Sequence, residues 1–199
     1  LVKQALLIRY ERLKDVTSDV SPIHWQDGAI ARLGAGEKIT KYLEDGYSTL
    51  SLGYIGIYEA TKCVIGTSHT TEEGRAFAMK LMHTLRDAVD RWKEETGLGF
   101  ALYGTPAESL TNRFASIDKA TFGAIEDITD KGYYTNSYHV DVREEINAFD
   151  KFDFESEFQK ISTGGCISYV EIPNMNNNID AVMTMIGYIY DHISYAEFN

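Results

Sequence analysis

The sequence predicts an α/β fold in which short buried strands are each followed by a helix. Three stretches support this expectation: a strand-like run at 48–56 that passes into a helix, a strand, turn and helix at 99–120, and a strand-like run at 166–172 that precedes a helix at 179–193. Strands that alternate with helices are typical of parallel sheets and barrels, in which functional groups lie at the carboxyl ends of the strands. About four strands are recognisable, which is few for a complete barrel.

The composition is that of a folded, acidic protein. Of the 199 residues, 44% are apolar and 25% are charged, and the net charge is −11. This suits one large domain or two small ones and disfavours nucleic acid as a partner, because phosphate binding needs a basic surface. No apolar run approaches the length of a membrane span. Leu1-Val2-Lys3-Gln4 opens a helix pattern rather than a signal peptide, so we expect a cytoplasmic protein whose residue 1 is not the natural start.

The first half of the chain is mostly helical by pattern. We expect helices at 1–14 and 57–65, shorter ones at 23–33 and 38–43, and the longest at 70–96. The longest helix carries an apolar residue at alternating steps of four and three, which predicts a continuous buried stripe. The stripe consists of Ala78, Met82, Leu85, Val89 and Trp92.

The loop that follows the strand at 99–103 is the first candidate site. Thr105 has the chemistry of an N-cap, Pro106 suits the first helical position, and Glu108 has the spacing of a capping box. The free amides of such a helix start favour a phosphate or a carboxylate. An ordinary strand–helix turn with a good cap explains the same residues, and spacing alone favours that interpretation.

The segment 132–140 is the second candidate, because it combines aromatic and hydroxyl side chains with β propensity but little alternation. Tyr134, Thr135, Asn136 and Ser137 either line a pocket or form a buried turn whose hydroxyls bond the backbone, and the sequence does not decide between these. His139, with acidic residues nearby, fits a structural role better than that of a ligand or base. Beyond it we expect a charged helix at 150–161 and a final strand begun at 195–199.

The cysteines and the remaining histidines give no motif. Cys63 and Cys166 lie far apart without zinc spacing, so we expect reduced thiols, and Cys63 is predicted to be a small core residue. His69 and His83 have no partner at metal spacing, which indicates structural or solvent-facing roles.

Several blocks of the chain together resemble the anaerobic, class III ribonucleoside-triphosphate reductases. The blocks occur in the expected order over nearly the whole chain. They are Arg9-Tyr10-Glu11-Arg12-Leu13, Ser21-Pro22-Ile23-His24-Trp25, Ser51-Leu52-Gly53-Tyr54-Ile55-Gly56, Tyr103-Gly104-Thr105-Pro106-Ala107-Glu108-Ser109, Asp127 through His139, and Ser162-Thr163-Gly164-Gly165.

The resemblance implies a ten-stranded α/β barrel of the glycyl radical and ribonucleotide reductase type, of which residues 1–199 would be the C-terminal half. It implies reduction of ribonucleoside triphosphates through a glycyl radical and a cysteine thiyl radical, usually with formate as reductant. Zinc, ATP and deoxynucleotide effectors, a radical-SAM activating enzyme and a homodimer belong to the intact enzyme. The N-terminal ATP-binding domain, the thiyl cysteine, the zinc cysteines and the radical glycine would all lie outside this segment, so we expect no catalytic residue, metal or cofactor within it.

The resemblance carries one functional role onto residues of this chain. The loop Gly104, Thr105, Pro106, Ala107, Glu108 and Ser109 would hold the substrate phosphates, and Tyr134, Thr135, Asn136 and Ser137 are candidates for the barrel interior. Neither cysteine falls in a catalytic motif of the family.

Two other functions remain as alternatives. One is a non-catalytic nucleotide-binding or oligomerisation module derived from the same barrel. The other is a glycyl radical enzyme acting on a small keto acid, although such a substrate offers no triphosphate for the loop at 104–109. For a half barrel we also expect self-association through the open edges of the sheet.

Overall fold

The computed structural model describes residues 1–198 and contains seven α-helices and four β-strands within them. The helices are α1 (Val2–Leu13), α2 (Pro22–Trp25), α3 (Ile57–Ile65), α4 (Glu72–Thr96), α5 (Ser109–Phe122), α6 (Ala148–Ile161) and α7 (Ile179–His192). The strands are β1 (Thr49–Tyr54), β2 (Gly99–Gly104), β3 (Ser168–Val170) and β4 (Ala196–Phe198). β1 pairs with β2 in one sheet, and β3 pairs with β4 in another.

The pairing of β3 with β4 is parallel, with Ser168 opposite Ala196 and Val170 opposite Phe198. The helix α7 connects these two strands, as a parallel pair requires. The predicted alternation of strand and helix is confirmed in this part of the chain. The predicted final strand is also confirmed as far as Phe198, whereas Asn199 lies outside the described residues.

The chain divides into two compact units, one made of 1–52 with 87–101 and the other of 53–86 with 102–199. In the first unit, a core of Ala31, Leu33 and Ile39 packs against partly buried aromatic side chains. The second unit has a core around Phe152, Val170 and Met185.

The long helix α4 confirms the predicted apolar stripe. Ala78, Met82 and Val89 are fully buried. Thr71 caps the helix, since its hydroxyl accepts the Gly74 amide at 3.2 Å, and Glu72 and Glu73 lie in the first turn, where the helix dipole favours acidic residues. Gly74 is required here because a Cβ would lie 2.0 Å from the Ser68 carbonyl oxygen.

Several predicted elements are shorter than expected. Only 23–25 of the predicted helix at 23–33 is α-helical, within α2, and the predicted helix at 38–43 is a single 3₁₀ turn at Thr40–Tyr42. The strand expected at 166–172 is reduced to β3, which is ended by the loop at Pro173. The helix expected at 179–193, whose spacing places Val182, Ile186, Ile189 and Ile193 on one apolar face, is confirmed as α7, but its face is partly wrong, because Ile186 is exposed while Met185 is buried.

One segment takes no regular form and one further expectation is wrong. The segment 132–140, for which the sequence indicated β propensity without alternation, is an irregular chain with turns, and its polar groups bond to surrounding elements rather than to a neighbouring strand. Cys63 is exposed on α3 rather than buried, since the buried face of that helix is formed by Ile57, Tyr58 and Thr61. No helix within residues 1–198 has the combination of length and apolar character needed to cross a bilayer.

Candidate functional site

A cavity of about 710 Å³ lies in the second unit, where the chain leaves two of the strands. Its walls come from the loop after β2, the irregular segment 133–146, the start of α6 and the end of β3. The lining residues are Ala107, Glu108, Thr111, Tyr133, Tyr134, Thr135, Asn136, His139, Val140, Asp141, Val142, Glu144, Ile146, Ala148, Lys151, Tyr169, Val170 and Glu171. This volume is within the range of small-molecule sites.

Residues of both candidate segments meet in this cavity. Ala107 and Glu108 line the cavity from the loop, and Tyr134, Thr135 and Asn136 line it from the irregular segment. The Ala107 amide donates a hydrogen bond of 3.0 Å to the Asn136 side-chain oxygen, which joins the two segments directly. Gly104, Thr105, Pro106, Ser109 and Ser137 are not part of the cavity wall.

The loop begins where β2 packs most closely. A Cβ on Gly104 would lie 3.2 Å from the Cys166 Cβ, 3.3 Å from the Tyr138 ring and 3.4 Å from the Tyr54 hydroxyl oxygen. The Gly104 amide donates to the Gly165 carbonyl at 3.0 Å. The absence of a side chain at 104 therefore lets the strand end fit between these groups.

The predicted capping box is wrong. The helix α5 begins at Ser109 rather than at Pro106, and its N-cap residue Glu108 makes no side-chain capping bond. The Thr105 hydroxyl instead bonds the Tyr103 carbonyl at 3.4 Å and packs against Gly53, where a Cβ would lie 2.3 Å from it. The Asn136 side chain accepts the Ala107 amide, so this amide is not available to the Thr105 hydroxyl as a cap, and the helix starts three residues later than predicted.

This late start preserves the chemistry that drew attention to the loop. The first amides of an α-helix have no acceptor within the helix, and here the Glu108 side chain accepts no hydrogen bond from them. Ser109 is exposed at the first helical position. The start of α5 thus presents backbone donors and a hydroxyl to solvent, with the positive end of the helix dipole behind them.

Residues 134–137 bond to two helices, α5 and α3. Tyr134 donates through its hydroxyl to Asp118 on α5 at 2.7 Å. Thr135 donates through both its amide and its hydroxyl to Glu59 Oε1 on α3, at 2.8 Å each. The carbonyls of Thr135 and Ser137 accept the amides of Gly56, the N-cap of α3, and of Ile57, its first residue. The segment is therefore both a cavity wall and a turn, but its hydroxyls bond the carboxylates of Asp118 and Glu59 rather than the backbone.

A β-turn from Asn136 to His139 closes this segment. The His139 amide donates to the Asn136 carbonyl at 3.0 Å, and Ser137 adopts a positive φ of 39°. A non-glycine residue with positive φ is uncommon, and such strain persists where the surroundings fix the chain. Here Asn136 is fixed by Ala107 and Tyr138 is fully buried.

A buried ion cluster holds the irregular segment to α3. The Lys131 ammonium lies 2.5 Å from Glu59 Oε1 and also bonds Asp141 Oδ2. The side chains of Lys131, Glu59 and Asp141 are all at most 4% exposed. Arg143 Nε approaches the second Asp141 oxygen at 2.8 Å. Burial raises the pKa of Asp141, but the hydrogen bonds from Arg143 and Lys131 outweigh it and lower that pKa to about 2.

A second buried carboxylate lies on α6 and contacts two residues that line the cavity, His139 and Lys151. Glu155 is fully buried, and its Oε1 lies 3.2 Å from His139 Nδ1 and 2.8 Å from Lys151 Nζ. Burial raises the pKa of Glu155, but the hydrogen bond from His139 and the charge of Lys151 outweigh it and lower that pKa to about 2. His139 thus has an acidic partner, though it is Glu155 and not one of the acidic residues next to it in sequence.

His69 has a structural position, as expected. It is fully buried, its Nε2 lies 2.9 Å from the Tyr138 carbonyl, and the rings of Phe154 and Tyr58 pack edge-on against it. Burial lowers the pKa of His69, so the imidazole is neutral and donates from Nε2. His83 is exposed on α4.

Residues 1–198 contain no group of three or more His, Cys, Asp or Glu side chains arranged to hold a metal ion. The two cysteines are free thiols, and burial raises the pKa of Cys166. The described residues therefore do not fit a zinc site, and no step is assigned to a metal or to a thiolate.

The functional features that sequence reasoning missed are the two ion clusters. Lys131, Glu59 and Asp141 are separated by up to 82 positions, and Glu155 lies 16 positions from His139. Charged residues on α6 are typical of a solvated face, yet α6 buries both Phe152 and Glu155. The available signal was a lysine just before a segment rich in aromatic and hydroxyl side chains.

Comparison with known proteins gives a consistent result. The model of the family described as anaerobic ribonucleoside-triphosphate reductase matches residues 1–199. The reductase of that name from Escherichia coli K12 is 43% identical over 202 aligned residues, which cover 100% of this chain and 28% of the relative. The reductase of phage T4 is 40% identical over 98% of this chain and 31% of its own length.

Solved structures agree on the fold. A crystal structure of the anaerobic ribonucleotide reductase from Thermotoga maritima, with citrate in its active site, superposes with a TM-score of 0.74 at 21% identity and covers 100% of this chain and 34% of its own. Another anaerobic ribonucleotide reductase gives a TM-score of 0.77 at 19% identity, over 99% of this chain and 29% of its own. The chain thus spans about three tenths of the length of the curated relatives that it matches. On the family match over all 199 residues and these identities, the chain belongs to the anaerobic ribonucleoside-triphosphate reductase family.

Proposed function

We propose that residues 1–199 form part of the substrate-binding region of an anaerobic ribonucleotide reductase, in which the loop 104–109 and the start of α5 bind the substrate phosphates. The intact protein converts ribonucleoside triphosphates to deoxyribonucleoside triphosphates by radical chemistry. The identity of 40–43% with reductases over this whole segment supports the enzyme over a non-catalytic module.

The observation that carries the phosphate assignment is the uncapped start of α5 beside the cavity. Its first amides and the Ser109 hydroxyl are donors, and Ala107 and Glu108 already border the cavity. Asn136 keeps the loop in place through the Ala107 amide, so that the donors are oriented before a ligand arrives. Preorganised donors bind an anion without the cost of ordering the loop.

The larger assembly belongs to the same proposal. The segment is half of a ten-stranded α/β barrel, which the parallel pair β3–β4 and the strand–helix order support. The intact protein is a cytoplasmic homodimer with an N-terminal ATP-binding domain, regulated by ATP and deoxynucleotides. An activating radical-SAM enzyme generates its glycyl radical, and the zinc site, the thiyl cysteine and the use of formate lie outside this segment. In this division of labour, residues 1–199 bind and orient the nucleotide, and the radical removes hydrogen from its ribose.

The test measures the affinity of the intact reductase for a ribonucleoside triphosphate after Thr105→Ala and Ser109→Ala. Loss of a hydrogen bond to a charged phosphate costs about 1.5–3 kcal/mol, so the variant that loses a direct contact should bind about tenfold to a hundredfold more weakly. Ser116→Ala is the matched control, because Ser116 is an exposed serine two turns further along the same helix. If both loop variants bind the triphosphate like the control, the phosphates lie elsewhere.

A further inference from the structure

His139 is held at the cavity wall by a buried carboxylate. Its Nδ1 lies 3.2 Å from Glu155 Oε1, and the Val140 amide donates to the same oxygen at 3.2 Å. The rings of Tyr138 and Tyr169 flank the imidazole at centroid distances of 5.0 and 5.8 Å. The ring is therefore fixed on two sides and by one hydrogen bond, while its side chain is 12% exposed and borders the cavity.

The identity of the acceptor settles which ring nitrogen carries the proton. An ionised carboxylate only accepts hydrogen bonds, so Nδ1 of His139 must be the donor. In the neutral ring, Nε2 is then an acceptor, and in the protonated ring it is a second donor. With Nδ1 turned towards the buried Glu155, the Nε2 edge is the one available to a ligand in the cavity.

The position of His139 relative to the loop 104–109 is fixed by the turn that carries it. Asn136 and His139 are the first and fourth residues of one β-turn, whose Cα atoms lie within about 7 Å of each other. Asn136 bonds the Ala107 amide of the loop. His139 is thus within the length of a single nucleotide of the proposed phosphate site.

His139 is one of two basic side chains in a cavity wall that also carries several acidic ones. Glu155 of α6 contacts His139, Lys151 of α6 contacts the same Glu155 oxygen, and Tyr169 of β3 lies beside the imidazole. The rest of the cavity wall carries the acidic side chains of Glu108, Asp141, Glu144 and Glu171. His139 and Lys151 are the basic side chains among the lining residues, and Lys151 already bonds Glu155 and the Tyr169 carbonyl.

We propose that His139 is a substrate-contact residue whose Nε2 forms a hydrogen bond with an oxygen of the ribose-phosphate part of the bound nucleotide, and that Glu155 orients it. The proposal rests on the proposed function, since it takes the nucleotide to be the ligand of this cavity. No covalent step is involved, and the ring need not leave its position between the two tyrosines.

Two amide variants separate this role from a structural one. In His139→Asn the side-chain amide reaches the position of Nδ1 and keeps a donor for Glu155, but nothing replaces Nε2. In His139→Gln the amide extends towards the position of Nε2 and gives up the bond to Glu155. Binding of a ribonucleoside triphosphate to the intact reductase is measured for both, together with KM, kcat and the melting temperature.

If His139 contacts the nucleotide, His139→Asn should melt like the wild type but bind about tenfold to a hundredfold more weakly, with KM raised in proportion. His139→Gln should recover part of that affinity. A purely structural histidine gives the opposite order, with His139→Asn unchanged in affinity and His139→Gln impaired and less stable, and this result overturns the inference. Should Ser109→Ala or Thr105→Ala weaken binding while His139→Asn does not, the inference fails and the proposed function stands. If the wild type binds no ribonucleoside triphosphate, both fail.

Discussion

Replacing Lys131 by methionine should destabilise the fold by about 3 kcal/mol. Lys131 is 2% exposed and pairs with two buried carboxylates, Glu59 and Asp141. Removing one partner of a buried ion pair costs about 3–5 kcal/mol, because it leaves a buried charge without compensation. Asp141 keeps three contacts with Arg143, so most of the loss falls on Glu59.

Removal of Lys131 affects Glu59 more than Asp141 for a structural reason. Its Oε1 retains the two donors of Thr135, but its Oε2 is buried and has no hydrogen-bond partner among the described residues. Because Glu59 keeps the Thr135 donors and Asp141 keeps Arg143, the cost nevertheless lies at the lower end of the range. A loss of about 3 kcal/mol corresponds to a melting temperature lower by roughly 6–12 °C for a chain of this size.

Urea titration of the chain, followed by far-ultraviolet circular dichroism, measures the difference. Lys62→Met is the matched control, because Lys62 forms a partly exposed ion pair with Asp127 and should cost no more than about 1 kcal/mol. Adding Glu59→Gln to Lys131→Met should recover at least half of the loss, since the amide side chain keeps an acceptor for Thr135 and carries no charge. Equal midpoints for Lys131→Met and Lys62→Met, or no recovery in the double variant, would refute the reasoning.

Three further changes probe the same region. Asp141 and Glu155 have folded pKa values of about 2 against ordinary values near 4. Each ionised carboxylate therefore stabilises the fold above pH 4 by up to about 2–3 kcal/mol, and this contribution is lost as the pH falls from about 4 to about 2. Urea midpoints measured between about pH 2 and 7 should show this fall in stability, and the fall should be smaller in Asp141→Asn. Ser137→Gly should leave the free energy of unfolding within about 0.5 kcal/mol, whereas Ser137→Val should cost about 1–3 kcal/mol, because only glycine accepts a positive φ without strain; equal losses for both would contradict this. Gly104→Ala should lower stability by about 1–3 kcal/mol through overpacking against Tyr138 and its neighbours, and an unchanged melting temperature would show that the strand end shifts freely.

The elements that the sequence predicted well are those whose own residues determine them. The helix α4 carries its apolar stripe and its cap within one continuous stretch, and α3 ends at Gly66, which adopts the left-handed conformation expected of a helix stop. Such signals depend on neighbours a few positions away. The predicted elements form as expected because no distant residue competes for the same backbone groups.

The start of α5 shows where this reasoning fails. Thr105, Pro106 and Glu108 have the right spacing for a cap, yet a side chain 29 positions away takes the Ala107 amide and delays the helix. A local sequence pattern contains no information about a competing acceptor such as the distant Asn136 side chain. The free amides near the loop were nevertheless foreseeable, because any helix start offers them.

The buried ion clusters were beyond prediction from pattern. A charged residue is expected to be solvent-exposed unless its partner is known, and Glu59 and Lys131 come together only through the fold. Their partners lie on α3 and in an irregular segment, so no periodicity connects them. His139 was rightly placed near an acid, but the acid that it contacts belongs to α6.

The region between α5 and α6 has 25 residues without a helix or strand, and it nevertheless supplies much of the cavity wall. Such a stretch has no ladder of backbone bonds to hold it residue by residue. Its order rests on bonds to other elements, among them Lys131 on Glu59, Asn136 on Ala107 and Tyr134 on Asp118. Loss of one of these bonds would therefore loosen the middle of the wall rather than fray one end. Agents that neutralise the buried carboxylates should change the shape of the cavity before the surrounding helices unfold.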